Sequence, residues 1–339
     1  MTFCAAPFVH MVQNPDGKFR TCCMYGKPLK GHYKNIKEAF ESEENKIIRN
    51  RMLSGENLIE CKKCDIDEMH QGKVKKSYRG EFNRLYGDFV DSLKFKYLEI
   101  STSNRCNFKC ISCGPRFSNQ YGKTIDNELP AKENFEDVVS LKILGGEPFL
   151  DKRNISLLEM VPRQQINLMV VTNNSIFPNQ YTLDLLSEFK HLNLNISIDG
   201  IGKIAEFVRY GTKWSKFERN WNKWLEWIEL DKNNRSFSPH FVFHSLNAPF
   251  FDETLQWSNV ELKKWSWDFL VSPSWLNMSY LPDHLKSFIL NENSLLNKPL
   301  KDFLKLNEYN KKHFHHLLST IDDVPNKMET YIDLFYRKL

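Results

Sequence analysis

The chain is poor in several features that would have set its class at once. Its longest apolar runs, such as residues 166–171, are strand-length and far short of a membrane span. A mean hydropathy of −0.51 agrees with this. Residues 1–19 hold no basic stretch followed by an apolar one, so no secretory leader is expected and the reading is a cytoplasmic protein. Charge of one sign is also scarce: 47 Lys and Arg face 42 Asp and Glu, for a net +5. Over this length that excess does not argue for nucleic acid. Eight cysteines among 339 residues are too sparse for a disulfide scaffold. With 41% hydrophobic and 26% charged residues, collagen-like, coiled-coil and wholly disordered chains are excluded as well.

What is present is a partition of those cysteines. Cys4, Cys22, Cys23, Cys61 and Cys64 lie near the start, Cys106, Cys110 and Cys113 share one loop, and none follows Cys113. In a reducing compartment, clustered thiols more often bind metal than form bridges. The loop reads C-x3-C-x2-C. Three thiolates this close can share one cluster and leave a coordination position open, which is where a metal centre does chemistry. A zinc knuckle with a distant fourth ligand fits the loop equally well.

The loop follows a β-prone stretch at 95–102. Apolar runs ending in small or polar residues recur at 139–147, 166–174, 192–200 and 240–247, with a sixth strand at 267–272. Helical patterns lie between them at 180–190, 214–230 and 251–265. Strands alternating with helices indicate parallel βα units. The expected class is α/β, a partial six-stranded (β/α) barrel with its site at the carboxyl ends of the strands. A small cysteine-rich hairpin-helix module precedes it and helices follow it. The expected boundaries are 1–72 for the module, 73–92 for a basic linker, 93–282 for the barrel and 283–339 for the helical extension.

These motifs resemble the radical S-adenosylmethionine enzymes. The cysteine loop after the first barrel strand carries the resemblance, with Gly145-Gly146-Glu147-Pro148 after the second. Thr172-Asn173-Asn174 after the third strand, Ser197-Ile198-Asp199-Gly200 after the fourth, and Arg209 support it. Ser112 stands where the family usually has an aromatic residue. The resemblance implies a 4Fe-4S cluster on Cys106, Cys110 and Cys113 whose open iron chelates S-adenosylmethionine. Reductive cleavage then gives a 5′-deoxyadenosyl radical that abstracts hydrogen from a substrate. It further implies that Gly145, Gly146 and Glu147 meet the cofactor's ammonium, and that Arg209 pairs with its carboxylate. Asn173, Ser197 and Asp199 become candidates for its ribose hydroxyls. Taken without the family, the same residues also read as a tight turn, helix caps and a solvated arginine.

In the first cysteine group, Cys4, Gly17 and Cys22 are spaced C-x12-G-x4-C around an Asn14-Pro15-Asp16-Gly17 turn signal. A hairpin there brings Cys4 and Cys22 together. A helix-like stretch at 35–53 then leads to Cys61-Lys62-Lys63-Cys64. Such a four-thiolate cage alone reads as zinc or iron-sulfur. Beside a radical S-adenosylmethionine core it resembles a twitch/SPASM-like module with an auxiliary 4Fe-4S cluster, placed before the barrel. Alternation along a strand points Cys22 and Cys23 to opposite faces. Cys22 is then the ligand, and Cys23 is either a buried small residue or a substrate-facing catalytic thiol.

The basic, aromatic stretch with Lys73, Lys75, Lys76, Arg79 and Arg84 reads as a solvated linker face, and His313, His315 and His316 as surface histidines. The leading functional reading is a radical modification of a peptide or protein side chain. It is served by a reductant of the flavodoxin or ferredoxin type, with no membrane or nucleic-acid partner. Modification of a sugar, nucleotide or RNA is the alternative among enzymes. A zinc-stabilised, non-catalytic binding protein is the alternative from another class.

Overall fold

A computed structural model describes residues 3–70 and 77–322. Among the described residues, eight of the ten strands matter for the site: β1 (His10–Gln13), β2 (Phe19–Arg20), β3 (Tyr97–Ser101), β4 (Ser140–Leu144), β5 (Asn167–Thr172), β6 (His191–Ser197), β7 (Arg235–Phe243) and β8 (Ser266–Phe269). The chain divides into two compact units. The first comprises 1–109, 113–197 and 211–238; the second comprises 110–112, 198–210 and 239–339.

In the first unit, β6, β5, β4, β3 and β1 lie parallel in that order, and β2 pairs antiparallel with β1 at the edge. Alternation explains the sheet. Leu98, Ile100, Leu141, Ile143, Leu168, Val170, Leu192 and Leu194 are almost wholly buried on one face. Each such side chain stabilises the fold by about 1.5–3 kcal/mol. Helices Lys152–Met160 and Gln180–Ser187 contribute buried Leu157, Leu158, Leu183, Leu185 and Leu186 to the same unit. The opposite face is polar. The register aligns Glu99 with Lys142, Lys142 with Met169 and Met169 with Asn193, one row across four strands. The fold is thus mixed α/β with a mostly parallel sheet, and the expected partial barrel is consistent with it.

The expected hairpin forms, with Gly17 donating to the Asn14 carbonyl at 3.0 Å. Its first strand does more than the sequence reading assigned to it. β1 also pairs with β3, His10 opposite Tyr97 and Gln13 opposite Ile100, so it extends the main sheet. The helix expected over 35–53 is two helices, Ile36–Glu41 and Glu43–Leu53. Ser42 breaks it: the residue is extended, and its hydroxyl accepts from the Asn45 amide to cap the second helix.

In the second unit, β8 lies parallel to the end of β7, with Phe269 opposite Phe243. Phe241, Phe243 and Phe251 are fully buried there. The helix expected over 251–265 stops at Ser258, after which Asn259 adopts a left-handed conformation. Helices Asp283–Glu292, Asn297–Leu304 and Lys311–Asp322 complete the unit, and residues 323–339 lie outside the described chain.

Candidate active site

The cysteine loop begins at Cys106, two residues past the strongly braced Asn104. The Asn104 side chain donates to the Pro115 and Lys123 carbonyls and accepts from the Ile125 amide. Asn119 accepts from the Cys106 amide at 3.0 Å, Gln120 donates to the Cys106 carbonyl, and the Ser118 hydroxyl donates to the Phe108 carbonyl. Asp151 receives the hydroxyls of Thr102 and Ser103 at 2.9 and 2.7 Å. Sequence reading singled out none of these residues, because isolated Asn, Gln and Ser carry no spacing signal.

Gly145 and Gly146 pack directly on that segment. The Gly146 amide donates to the Ser103 carbonyl and the Glu147 amide to the Arg105 carbonyl, at 3.3 and 2.7 Å. A Cβ on Gly146 would stand 2.0 Å from the Arg105 oxygen. Gly145 has φ +130°, where L side chains are strained, and its Cβ would stand 2.6 Å from the Ser103 oxygen. Backbone-on-backbone packing beside Cys106 therefore requires both glycines. The Glu147 carboxylate, 1% exposed, accepts from the Thr172 hydroxyl at 2.8 Å, the Asn173 amide at 2.7 Å and the Phe149 amide at 3.3 Å. Its side chain thus ties the end of β4 to the end of β5.

At the end of β5 the buried Asn173 meets Cys106, its Nδ2 lying 3.7 Å from the Cys106 sulfur and 3.1 Å from the Asn107 Oδ1. Asn174 turns the chain at φ +61°, a conformation asparagine tolerates, and donates to the Phe217 carbonyl. Ser197 closes β6 and is half-buried. Cys113 lies in the same unit as Cys106, half-buried.

In the second unit, the segment with Cys110 is held by the Ile111 amide, which donates to the Val208 carbonyl at 2.9 Å. Asp199 and Arg209 meet each other: Arg209 donates to Asp199 Oδ2 at 2.8 Å, and the Val242 amide donates to Oδ1 at 3.0 Å. Both carboxylate oxygens have protein donors, so Asp199 acts first as an anchor for Arg209 and β7. His244, also buried here, escaped the sequence reading. Burial, against the pull of Asp199, holds its pKa down at about 4. Its Nδ1 accepts from the Leu246 amide, and its Nε2 has no hydrogen-bond partner among the described residues.

The four predicted auxiliary cysteines do converge. Cys4, Cys22, Cys61 and Cys64 line one cavity of about 20 Å³ in the first unit, with Arg79 beside them. Burial pushes the Cys4 thiol up to about 12 and the Cys64 thiol to about 11. Thiols this reluctant to ionise alone become ligands when a cation compensates the charge. By donor type, four thiols suit zinc or iron and sulfide. Among the described residues, no three His, Cys, Asp or Glu side chains are grouped as ligands of one ion. Arg79 corrects the solvated-linker reading: it is 4% exposed and pairs with Asp65 at 2.7 Å and Glu68 at 2.9 Å. Lys73, Lys75 and Lys76 lie outside the described residues.

Cys23 departs from expectation too. β2 ends at Arg20, so strand alternation does not reach Cys22 and Cys23. The adjacent Cys22 thiol, burial and the nearby Glu99 carboxylate push the Cys23 thiol well above its ordinary value. Glu99 itself lies 3.3 Å from the Lys142 ammonium and 3.4 Å from His10 Nε2. Burial opposes its charge, but Lys142 and His10 outweigh burial and hold its carboxyl well below the ordinary range. Next to this cluster, Tyr86, Tyr97, Lys142, Met169 and Asn193 line a cavity of about 240 Å³ on the polar face of the sheet. Ser140, Asn167 and His191, the first residues of β4, β5 and β6, also line it, so it opens at the amino ends of the strands, away from the cysteine loop. Of the three histidines at 313–316, His315 and His316 are exposed, while His313 is half-buried against Ser274 at 3.2 Å.

No family model matches the chain. Over 152 residues it is 30% identical to a GTP 3′,8-cyclase of Campylobacter lari, covering 37% of this chain and 45% of that protein. Over 149 residues it is 27% identical to a GTP 3′,8-cyclase of Desulforamulus reducens, covering 40% and 43%. These similarities support the radical S-adenosylmethionine superfamily. The matched stretch spans a little under half the length of these curated relatives. Among solved structures, anSMEcpe with bound AdoMet aligns at a TM-score of 0.45 and 19% identity, over 63% of this chain and 61% of that one. Streptococcus suis SuiB aligns at 0.43 and 14%, over 88% and 69%. No helix among the described residues is long and apolar enough to cross a membrane.

Proposed function

We propose that the chain cleaves S-adenosylmethionine reductively at a 4Fe-4S cluster on Cys106, Cys110 and Cys113, and uses the product to modify a nucleotide. The observation that carries this is the C-x3-C-x2-C loop within a chain similar to GTP 3′,8-cyclases. Bound there, cluster and cofactor supply one-electron cleavage of the sulfonium to methionine and a 5′-deoxyadenosyl radical. The protein's own part is placement. Asn104, Asn119 and Gln120 hold the loop's shape, and Gly145 and Gly146 admit the β4 end to within hydrogen-bonding distance of it. The relatives' names favour a nucleotide over the peptide side chain expected from the motifs alone. Cys4, Cys22, Cys61 and Cys64 are proposed to hold an auxiliary cluster, with a flavodoxin- or ferredoxin-type reductant serving the chain.

The test is anaerobic purification and reconstitution, followed by iron, sulfide and zinc analysis and reduction-dependent 5′-deoxyadenosine formation. Stoichiometric zinc without deoxyadenosine overturns the proposal. In Cys106→Ala, cleavage should vanish while metal at the four-cysteine cavity persists. Guanosine triphosphate and an aromatic peptide, added separately, tell the two substrate classes apart by which one is consumed.

A further inference from the structure

The Asn173 side chain stands in a place that its reading as a ribose ligand does not explain. Its Oδ1 accepts from the Ser175 amide at 2.9 Å, which fixes the rotation of the amide group. Nδ2 must then face the other way. There it lies 3.7 Å from the Cys106 sulfur and 3.1 Å from the Asn107 Oδ1. The Ser175 hydroxyl donates to the same Asn107 oxygen at 3.1 Å, closing a small ring of bonds around the residue after the cysteine. The sulfur receives a second donor, the Phe108 amide, at 3.4 Å. Asn173 is 5% exposed and Cys106 8%, so little water competes for these contacts.

We propose that Asn173 is a positioning residue that sets the reduction potential of the cluster held by Cys106, through its N–H···S contact; this rests on the cluster assignment above. Adding an electron to an iron-sulfur cluster increases the negative charge shared by its sulfur ligands. A donor aimed at a ligand sulfur stabilises the reduced state more than the oxidised one and raises the potential. The effect belongs to Nδ2 and not to the backbone of β5, which Glu147 holds independently through the Asn173 amide. Leucine at this position keeps the shape and that backbone bond but removes the donor. Aspartate replaces the donor by an anion beside the thiolate.

The experiment is a mediated redox titration of the reconstituted full chain, followed by electron paramagnetic resonance of the reduced cluster. It compares wild type with Asn173→Leu and Asn173→Asp, each assayed for iron content and thermal midpoint. The expected result is a lower potential in Asn173→Leu and a still lower one in Asn173→Asp, with iron per chain preserved in Asn173→Leu. An unchanged potential in iron-replete Asn173→Leu overturns the inference and leaves the cluster assignment standing. If the leucine variant loses iron while its residual signal titrates at the wild-type potential, the role is structural and the inference falls. If the wild type itself gives no Cys106-dependent signal, the cluster assignment has failed, and the inference with it.

Discussion

Gly146 shows how a legible motif can conceal its physical reason. The Gly-Gly-Glu-Pro run is conspicuous in the sequence, and the resemblance implies that its glycines meet a cofactor's ammonium. The structure shows a nearer demand, since a Cβ would overlap the Arg105 oxygen at 2.0 Å. Gly146→Ala should therefore destabilise the chain by at least about 1–3 kcal/mol, as overpacking against backbone does, and displace the segment leading into Cys106. Urea unfolding together with iron content after reconstitution checks this; an unaltered midpoint contradicts it. Asp151 gives a second residue-scale prediction, and one invisible in sequence, because its partners Thr102 and Ser103 lie in another strand end. Burial works to raise its carboxyl, but bonds from Arg153, Ser103 and Thr102 outweigh it and hold the pKa at about 2. The ordinary value is about 3.9, so the folded state is the weaker proton binder. The resulting stabilisation is full above about pH 4 and fades as pH falls towards 2. Discounted for the partly exposed Arg153, it amounts to about 1–2 kcal/mol. Asp151→Asn should flatten the fall in unfolding free energy between pH 4 and 3; parallel pH curves for variant and wild type count against it.

At the scale of elements, strands were the most legible part, because leucine, isoleucine and valine recur with the strand period at 97–101, 140–144, 167–172 and 191–197. Helix ends were less so. A serine at position 42 reads as a tolerated helix residue until its hydroxyl is seen capping Glu43–Leu53. Arg79 is the clearest miss. In sequence it sits among lysines and aromatics, the pattern of a solvated face, yet the helix Tyr78–Tyr86 turns it inward against the four-cysteine cavity. No local pattern distinguishes it from Arg84, which stays exposed, because its partners Asp65 and Glu68 come from the preceding helix. Removing one partner of a buried pair leaves the others uncompensated. Since both carboxylates are partly exposed, Arg79→Met should cost about 1–3 kcal/mol, and it should also lower metal retention at the cavity. Arg79→Lys should recover part of both. Metal analysis after gel filtration, alongside urea unfolding, reads the two effects; full metal retention in Arg79→Met would separate this arginine from the site.

For the whole molecule, the expected module at 1–72 supplies a strand to the main sheet. β1 contributes His10, Met11, Val12 and Gln13 as a parallel neighbour of β3, in register from Tyr97 to Ile100. The same segment supplies Met11, fully buried, and Phe8 and Val9 just before it. Further ties cross the expected boundary: Asn83 accepts from the Ala5 amide and donates to the Phe3 carbonyl, and Gln13 donates to the Glu128 carbonyl. A chain that starts at residue 73 loses all of these and bares the edge of β3, whose unpaired amides and carbonyls then invite pairing with other chains. It should be recovered mainly as aggregate, or as a soluble species that binds a hydrophobic dye and melts without a cooperative transition. The comparison is with full-length protein under the same anaerobic conditions, by light scattering and circular dichroism. A soluble 73–339 chain with a sharp transition and intact deoxyadenosine formation would contradict this coupling. The sequence could not reveal this coupling, because a four-residue strand at position 10 has no periodicity that names its partner some 90 residues later; only the pairing of His10 with Tyr97 does.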